Sequence, residues 1–210
     1  MEEKLRLVDL SLGVGLSKQG NLTGIERRLK DSVADVHNCI GKWNQQNARG
    51  TSVLMDLGNF LLSRQPVGDI KTVAQFQQVA PEIRKRLTEL SAIVDKMEAL
   101  SDKMTMIASQ MEALRDLELS QSTSVCGDGS PQIFFYSWPV QSFVDAFRKV
   151  ASAYEAELPT KRRVVSSVAH GSDRDALLLH VSVWGYDGSL SGEVRTLVDA
   201  MLYETGHYSL

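Results

Sequence analysis

The longest regular pattern of apolar and polar residues in the chain runs from Ile83 to Leu117. Apolar residues recur there in steps of three and four, with one extra step of three between Met97 and Leu100. The positions between them are mostly charged or small and polar. This spacing predicts a helix with one apolar stripe, forming a heptad seam that is locally overwound. The stripe comprises Ile83, Leu87, Leu90, Val94, Met97, Leu100, Met104, Ile107, Met111 and Leu114.

The length of this predicted helix bears on how its stripe can be buried. At a rise of about 1.5 Å per residue the helix would extend over some 50 Å. A helix of that length cannot cover its own apolar face. The pattern therefore predicts partner helices, either elsewhere in this chain or in another chain.

A second long helical pattern precedes this one. From about Thr23 apolar residues recur in steps of three and four as far as Trp43. The pattern resumes after Gly50, either as the same helix or as a second piece, and residues 64–69 mark a break. Two long helical segments joined at this break favour an antiparallel hairpin or two strands of a larger bundle.

Two prolines interrupt the helical patterns. Proline inside a helix removes a hydrogen bond and costs about 3 kcal/mol, whereas in a first turn it costs little. We therefore expect a short helix from Thr72 to about Val79, followed by a kink or a new start at Pro81. By the same reasoning, a helix that begins near Pro139 ends or kinks at Pro159.

Two further helices are predicted near the carboxy terminus, over residues 172–184 and 191–204. In the first of them Ala176, Leu179 and Val183 share one side. The chain as a whole contains no stronger strand signal than residues 134–136.

These patterns predict an all-α fold, with a long helical hairpin or coiled coil followed by a small carboxy-terminal helical bundle. The predicted parts are a flexible amino-terminal arm over residues 1–22, a long helical coiled-coil region over 23–119, a linker over 120–133 and a carboxy-terminal helical domain over 134–210.

Composition excludes some classes of partner. The net charge is -3, which gives no electrostatic reason to bind nucleic acid directly. The longest apolar run, over residues 176–179, is far shorter than the ~20 residues of a membrane span, so we expect no membrane association. Two distant cysteines without a secretory signal fit a reducing compartment.

No catalytic, cofactor or metal site is predicted. The segment Gly13–Lys18 lacks the spacing of a phosphate-binding loop. The 4 histidines do not pair with other histidines, cysteines or carboxylates at a metal-binding spacing, and no nucleophile elbow is present. The expectation is a protein that is not an enzyme and that needs no cofactor.

Partner binding is the remaining candidate activity. Methionines at every seventh position of the long seam suit either core filling or a surface that repacks against partners. Tryptophans are either structural anchors or interface residues. The basic segment Lys161–Arg163 is predicted as a solvated helix face, with docking to an acidic surface or nuclear import as alternatives. The candidate partner-binding residues are Leu100, Met104, Ile107, Met111, Trp138, Pro139 and Trp184.

The chain resembles the cyclin-dependent kinase 2-interacting protein family in an ordered set of short motifs that covers roughly half of the sequence. The carboxy-terminal motifs are Trp138-Pro139 with Phe143, Tyr154 with Glu157-Leu158, Lys161-Arg162, Ala169-His170, Trp184 and the ending Met201–His207, closing on Leu210. The amino-terminal motif is Ala34-Asp35, His37-Asn38, Ile40 and Lys42-Trp43. Pro81 and Pro159 depart from the uninterrupted helices of that family.

This resemblance implies a small non-enzymatic adaptor, mainly nuclear with some cytoplasmic protein. The family is linked to cyclin-dependent kinase 2, to the Cdc7 kinase, and to checkpoint signalling through the partner subunit of the ATR kinase. It also implies an accessory subunit of a hexameric AAA ATPase, paired with a small helical protein in a hetero-oligomer. That assembly acts in maturation of the large ribosomal subunit and in replisome protein turnover.

Two other hypotheses remain open from the sequence. The first is a self-associating structural coiled coil that serves as a scaffold or tether, which a stable homodimer would favour. The second is an enzyme whose site forms only in three dimensions, for example around His170, His180 or His207 with carboxylates.

Overall fold

The computed structural model of the chain describes residues 24–63, 73–122, 133–168 and 174–208. Within these ranges the protein forms five helices and no strand, apart from one isolated bridge between Ile133 and Pro139. The helices are α1 (Ile25–Ser63), α2 (Val73–Ser122), α3 (Val140–Val168), α4 (Arg174–Gly185) and α5 (Gly192–Glu204). This confirms the all-α class. The predicted arm over residues 1–22 lies outside the described residues.

Helices α1 and α2 lie antiparallel. Arg49 of α1 pairs with Glu89 of α2 at 2.7 Å, and Asp35 pairs with Lys103 at 3.2 Å. Since the residue number rises along α2 as it falls along α1, the two helices run in opposite directions. These ion pairs are largely exposed, so they report the direction of the helices more than they stabilise them.

Helix α3 also runs antiparallel to α2. Arg148 of α3 pairs with Glu112 of α2 at 2.5 Å, and Arg162 pairs with Glu98. Helix α2 therefore contacts both α1 and α3 along much of its length. Helices α1 and α3 also meet directly, through an edge contact between the Trp43 and Tyr154 rings at 5.0 Å.

The buried face of α2 is broader than one heptad stripe because it serves two neighbours. Met97, Met104 and Met111 form its centre and are at most 3% exposed. On the α1 side they are flanked by Ile93, Leu100, Ile107 and Leu114, and on the α3 side by Val94, Ser101 and Ala108.

The burial pattern adds one polar residue to the predicted stripe. Ser101 is 1% exposed, whereas Leu100 is only half-buried. With Ser101 in the stripe, the steps from Val94 through Met97 to Met104 alternate regularly between three and four. A small polar residue therefore occupies a seam position that the apolar pattern could not reveal. The predicted overwound step stays a prediction.

Both prolines lie inside continuous helices, so the predicted helix end before Pro81 and the predicted end at Pro159 were wrong. A kink at either proline stays a prediction. Burial beyond the proline explains how α3 continues. Lys161, Val164 and Val168 are all at most 2% exposed. Their packing offsets the local cost of about 3 kcal/mol. Likewise α1 passes through Gly50 without a break.

Helices α4 and α5 are shorter and close the remaining sides. Helix α4 packs on α1 and α3, and α5 packs mainly on α3. Buried side chains of all five helices join one hydrophobic core. The predicted arrangement of a hairpin followed by a separate bundle is therefore not confirmed. The predicted domain boundaries stay predictions. None of the described helices is long and apolar enough to cross a membrane.

Candidate partner-binding surface

The predicted partner-binding residues on α2 lie where α2 contacts α1 and α3. Met104, Ile107 and Met111 are at most 3% exposed, and Leu100 is half-buried against the same core. A partner could reach the first three only if α1 or α3 moved away from α2. In the isolated chain these residues fill the core, and their role in partner binding stays a prediction.

Trp138 and Pro139 lie at the start of α3, and both are half-buried. The Trp138 ring makes an edge contact with Phe143, with the ring centroids 5.2 Å apart. The carbonyl of Pro139 accepts a hydrogen bond from the backbone N–H of Ser142 at 3.0 Å, which begins the helix. Since both side chains keep some exposed surface, a partner could contact them without unfolding the core. That contact stays a prediction.

Trp184 is completely buried at the end of α4. Its indole N–H donates a hydrogen bond to the backbone carbonyl of Asn47 on α1 at 3.0 Å. Its ring lies directly over Gly50: a Cβ atom at that position would lie 2.1 Å from Trp184 Cζ2. Trp184 thus joins α4 to α1 in the folded chain. A role in partner binding stays a prediction.

A buried ion cluster lies beside Trp184. It consists of Lys161, Glu157 and Asp187, and we refer to it as the lysine cluster. The Lys161 side chain is 0% exposed and donates hydrogen bonds to Asp187 Oδ1 at 2.8 Å and to the backbone carbonyl of Trp184. Its ammonium lies 5.3 Å from the centroid of the Trp184 ring and 3.5 Å from Glu157 Oε1.

The lysine cluster is anchored to the surrounding backbone and to α1. Asn47 Nδ2 donates hydrogen bonds to the two carboxylate oxygens of Asp187 at 3.3 and 3.1 Å. The backbone N–H of Ser189 donates a hydrogen bond to Glu157 Oε2 at 3.0 Å. Since an unpaired buried charge costs several kcal/mol, these contacts are needed to keep Lys161 in the core.

The predicted basic face around Lys161 does not exist as a continuous solvated surface. Lys161 is buried, and three other basic side chains in the same helix pair with carboxylates. The exposed pairs are Arg148–Glu112, Lys149–Glu193 and Arg162–Glu98. The positive charge of this segment is therefore largely matched within the folded chain.

The carboxy-terminal motif closes against the start of α3. The Glu204 carboxylate accepts hydrogen bonds from the backbone N–H groups of Ser137 at 2.9 Å and Trp138 at 3.3 Å, and from the Ser137 hydroxyl. Beyond Glu204, Gly206 adopts a positive φ of 67°. This left-handed residue ends α5 with the paired backbone hydrogen bonds typical of a Schellman motif.

Exposed apolar side chains lie on α4 and just after it. Leu178 is 54% exposed, Leu179 is 61% exposed and Tyr186 is 78% exposed. The predicted side of this helix included Leu179, but its buried residues are Leu177 and Trp184. We refer to Leu178 and Leu179 as the α4 leucine pair. Sequence reasoning missed this surface, although three consecutive leucines in an amphipathic helix must place some of them in solvent.

A second exposed group is aromatic. The rings of Tyr136 and Tyr203 stack with their centroids 5.5 Å apart, and the two residues are 51% and 43% exposed. They lie beside the contact between Glu204 and the start of α3. Aromatic rings exposed in this way are common in protein interfaces.

Burial shifts the titration of several side chains. Burial, with the nearby Asp187 carboxylate, raises the pKa of Tyr154 to about 12. Burial also raises the pKa of the Cys39 thiol, so this cysteine is held in its neutral form. Burial, with the positive charge of Lys30, lowers the pKa of His207.

The described side chains include no grouping of three or more His, Cys, Asp and Glu residues that could hold a metal ion. His170, which the enzyme hypothesis invoked, lies outside the described residues, while His180 is half-buried on α4 and His207 is exposed after α5. The described residues form a packed helical protein with exposed apolar groups at its surface.

Comparison with known proteins supports the resemblance over a much longer range than the motifs. The chain is 28% identical over 198 residues to the cyclin-dependent kinase 2-interacting protein of Xenopus laevis, covering 90% of this chain and 93% of that protein. This confirms the resemblance to the cyclin-dependent kinase 2-interacting proteins.

The mammalian relatives agree. The proteins of the same name from Mus musculus and Homo sapiens are 27% and 28% identical over 212 residues, covering 95% of this chain and 98% of each relative. No protein-family model matches the chain. The similarity therefore extends over most of the chain and is not confined to the short motifs.

Proposed function

We propose that this protein is a non-enzymatic helical adaptor that binds cyclin-dependent kinase 2. The observation that carries the proposal is the similarity to cyclin-dependent kinase 2-interacting proteins over 90% or more of the chain. Similarity of that extent involves all five helices together and not one short motif. An adaptor acts by position: it holds one protein next to another and needs no reactive group.

The α4 leucine pair is the surface through which we expect the kinase to bind. Leu178 and Leu179 each expose more than half of their surface. A bound partner would cover these side chains and remove their apolar surface from water. Burying a leucine side chain contributes about 1.5–3 kcal/mol. Trp184 also anchors α4 to α1 through its hydrogen bond to the Asn47 carbonyl, so the two leucines lie on a helix that is held in place.

A double substitution tests this surface. Leu178→Ser with Leu179→Ser removes the exposed apolar groups but leaves the buried side of α4 intact. We expect affinity for purified cyclin-dependent kinase 2, measured by isothermal titration calorimetry, to fall about tenfold or more. The matched control is Met106→Ser on α2, which removes an apolar side chain that is 53% exposed. Equal affinities of the double variant and the control would reject the α4 surface.

We further propose that the protein is an accessory subunit of an AAA ATPase complex in maturation of the large ribosomal subunit and in replisome maintenance. In that complex it would pair with a small helical protein. Links to the Cdc7 kinase and to checkpoint signalling, and a mainly nuclear location, belong to the same proposal. The support is the family resemblance carried by the motifs that include Trp138-Pro139 and Met201–His207.

This wider proposal has its own test. A tagged protein recovered from nuclear extract should bring with it an AAA ATPase and a small helical protein in a near-fixed ratio, identified by mass spectrometry. Recovery of the kinase without these two would limit the function to kinase binding. Recovery of the protein alone as a stable homo-oligomer would favour the scaffold hypothesis.

A further inference from the structure

A groove of about 510 Å³ opens on the surface above the lysine cluster. It lies between α3 and the end of α4 and is completed by the loop that follows α4. Its wall combines a buried carboxylate, hydroxyl groups and an exposed aromatic ring. The lining residues are Glu157, Thr160, Ser182, Val183, Tyr186, Gly188 and Ser189.

Glu157 brings an unsatisfied acceptor to this groove. The residue is 1% exposed, and its Oε2 accepts the hydrogen bond from the Ser189 N–H. Its Oε1 lies 3.5 Å from the Lys161 ammonium, and among the described residues none donates a hydrogen bond to it. A buried carboxylate oxygen without a hydrogen-bond donor destabilises the fold, so a ligand that supplies a donor there binds favourably.

The charge beside the groove is also unbalanced. In the described part of the chain, Glu157 and Asp187 form ion pairs only with Lys161, so two carboxylates share one ammonium. Two donor positions of that ammonium are already used by Asp187 and the Trp184 carbonyl. The excess charge is negative, and the group it favours is a cation that can donate hydrogen bonds.

An aromatic ring forms the outer wall. Tyr186 is 78% exposed, and a Cβ atom at Gly188 would lie 3.2 Å from its Cε1 atom. The missing side chain at Gly188 therefore lets the ring lie close to the loop, where it flanks the groove. A planar cation that stacks on this ring gains a cation–π contact in addition to its hydrogen bonds.

We propose that this groove binds the guanidinium group of an arginine side chain on a partner protein. The guanidinium donates hydrogen bonds to Glu157 Oε1 and stacks on Tyr186, and its hydrocarbon stem contacts Val183. A lysine ammonium would supply the charge but not the flat surface that stacks on the ring. This site lies beyond the kinase proposal and does not depend on it.

The test uses the full chain and a short peptide. The probe is acetyl-Gly-Arg-Gly-amide, and the matched control is the same peptide with citrulline in place of arginine. Citrulline keeps the shape but lacks the positive charge. We expect saturable changes in the amide NMR signals of Gly188 and Ser189 with the arginine peptide and no changes with the citrulline peptide. Equal changes with both peptides, or none with either, would overturn the proposal.

Two variants locate the peptide in the groove. Tyr186→Ala should weaken arginine-peptide binding about fivefold, the size of one exposed cation–π contact. Ser182→Lys places an ammonium of the chain itself in the groove, so it should abolish peptide binding and raise the midpoint of thermal unfolding. The control Ser166→Lys adds the same charge at an exposed position of α3 outside the groove.

The two lysine variants distinguish a specific site from a general effect of charge. Unchanged binding by Ser182→Lys would show that the peptide does not occupy this groove. Equal loss in Ser182→Lys and Ser166→Lys would show a general charge effect and not a specific site. None of these measurements includes the kinase. Absence of peptide binding would therefore not bear on the kinase proposal, and absence of kinase binding would not bear on the groove.

Discussion

The contact between Gly50 and Trp184 gives the sharpest test of how the helices are held together. Replacing Gly50 with alanine adds one methyl group, whose carbon would lie 2.1 Å from Trp184 Cζ2. Favourable contacts between carbon atoms lie at about 3.5–4.0 Å, so the ring must move by more than 1 Å. Its movement is opposed by the hydrogen bond to Asn47 and by the buried Lys161.

The expected cost follows from two opposing effects. Alanine in the middle of a helix is about 1 kcal/mol more favourable than glycine. Forcing a methyl group into a filled core costs typically about 1–3 kcal/mol. Gly41 lies on the same helix with nothing within 4 Å of its Cβ position. Gly41→Ala therefore gains the helix propensity of alanine without the steric cost.

We therefore expect Gly41→Ala to raise the free energy of unfolding by about 1 kcal/mol, and Gly50→Ala to lie about 1–3 kcal/mol below Gly41→Ala. Urea denaturation followed by circular dichroism measures both variants against the parent protein. If the two substitutions stabilise the protein equally, the ring of Trp184 does not lie over Gly50 and the described contact between α4 and α1 is wrong.

Two further predictions concern buried titratable groups. Lys161→Met should lower the free energy of unfolding by about 3–5 kcal/mol because it leaves Glu157 buried without its cation, whereas the exposed Arg163→Met should change it by less than about 0.5 kcal/mol. Urea denaturation of the two variants distinguishes these values. The raised pKa of Tyr154, about 12, means that the folded protein keeps a proton that the unfolded chain loses above about pH 10. The free energy of unfolding should then fall by about 2–3 kcal/mol between pH 10 and 12. Tyr154→Phe should remove that part of the pH dependence, and an unchanged dependence would contradict it.

The sequence pattern predicted the helical class and the long seam for a physical reason. Apolar side chains at three- and four-residue steps must share one side of a helix, so Met97, Met104 and Met111 were bound to lie together. The number of neighbours was not predictable in the same way. A stripe of one heptad width needs one partner helix, whereas the burial of Ser101 and Ala108 reflects a second neighbour of α2 that the apolar pattern does not indicate.

The lysine cluster shows a different limit. Lys161 falls at a seam position of α3, four residues after Glu157 and three before Val164, so its place on the apolar side was visible in the spacing. Its neighbours Arg162 and Arg163 suggested a solvated basic face instead. The carboxylate that makes burial possible, Asp187, comes from a loop after α4, and a contact of that range cannot be read from local spacing.

Local rules also misled at the helix interruptions. Proline and glycine weaken a helix by about 3 and 1 kcal/mol, and in isolation either would favour a break. Pro159 and Gly50 nevertheless lie within long helices, because the side chains around them are buried in the common core. The sequence shows the local penalty, whereas the compensating contacts come from distant parts of the chain.

The central claim is that this chain completes its own helical core and uses its surface to bind a kinase. Light scattering during size-exclusion chromatography tests this claim directly, with the protein alone and mixed with purified cyclin-dependent kinase 2. The account predicts a mass near the 23.2 kDa of one chain when alone, and a single complex with the mass of both proteins when mixed. A stable homodimer that forms no complex with the kinase would contradict the account and favour a self-associating scaffold.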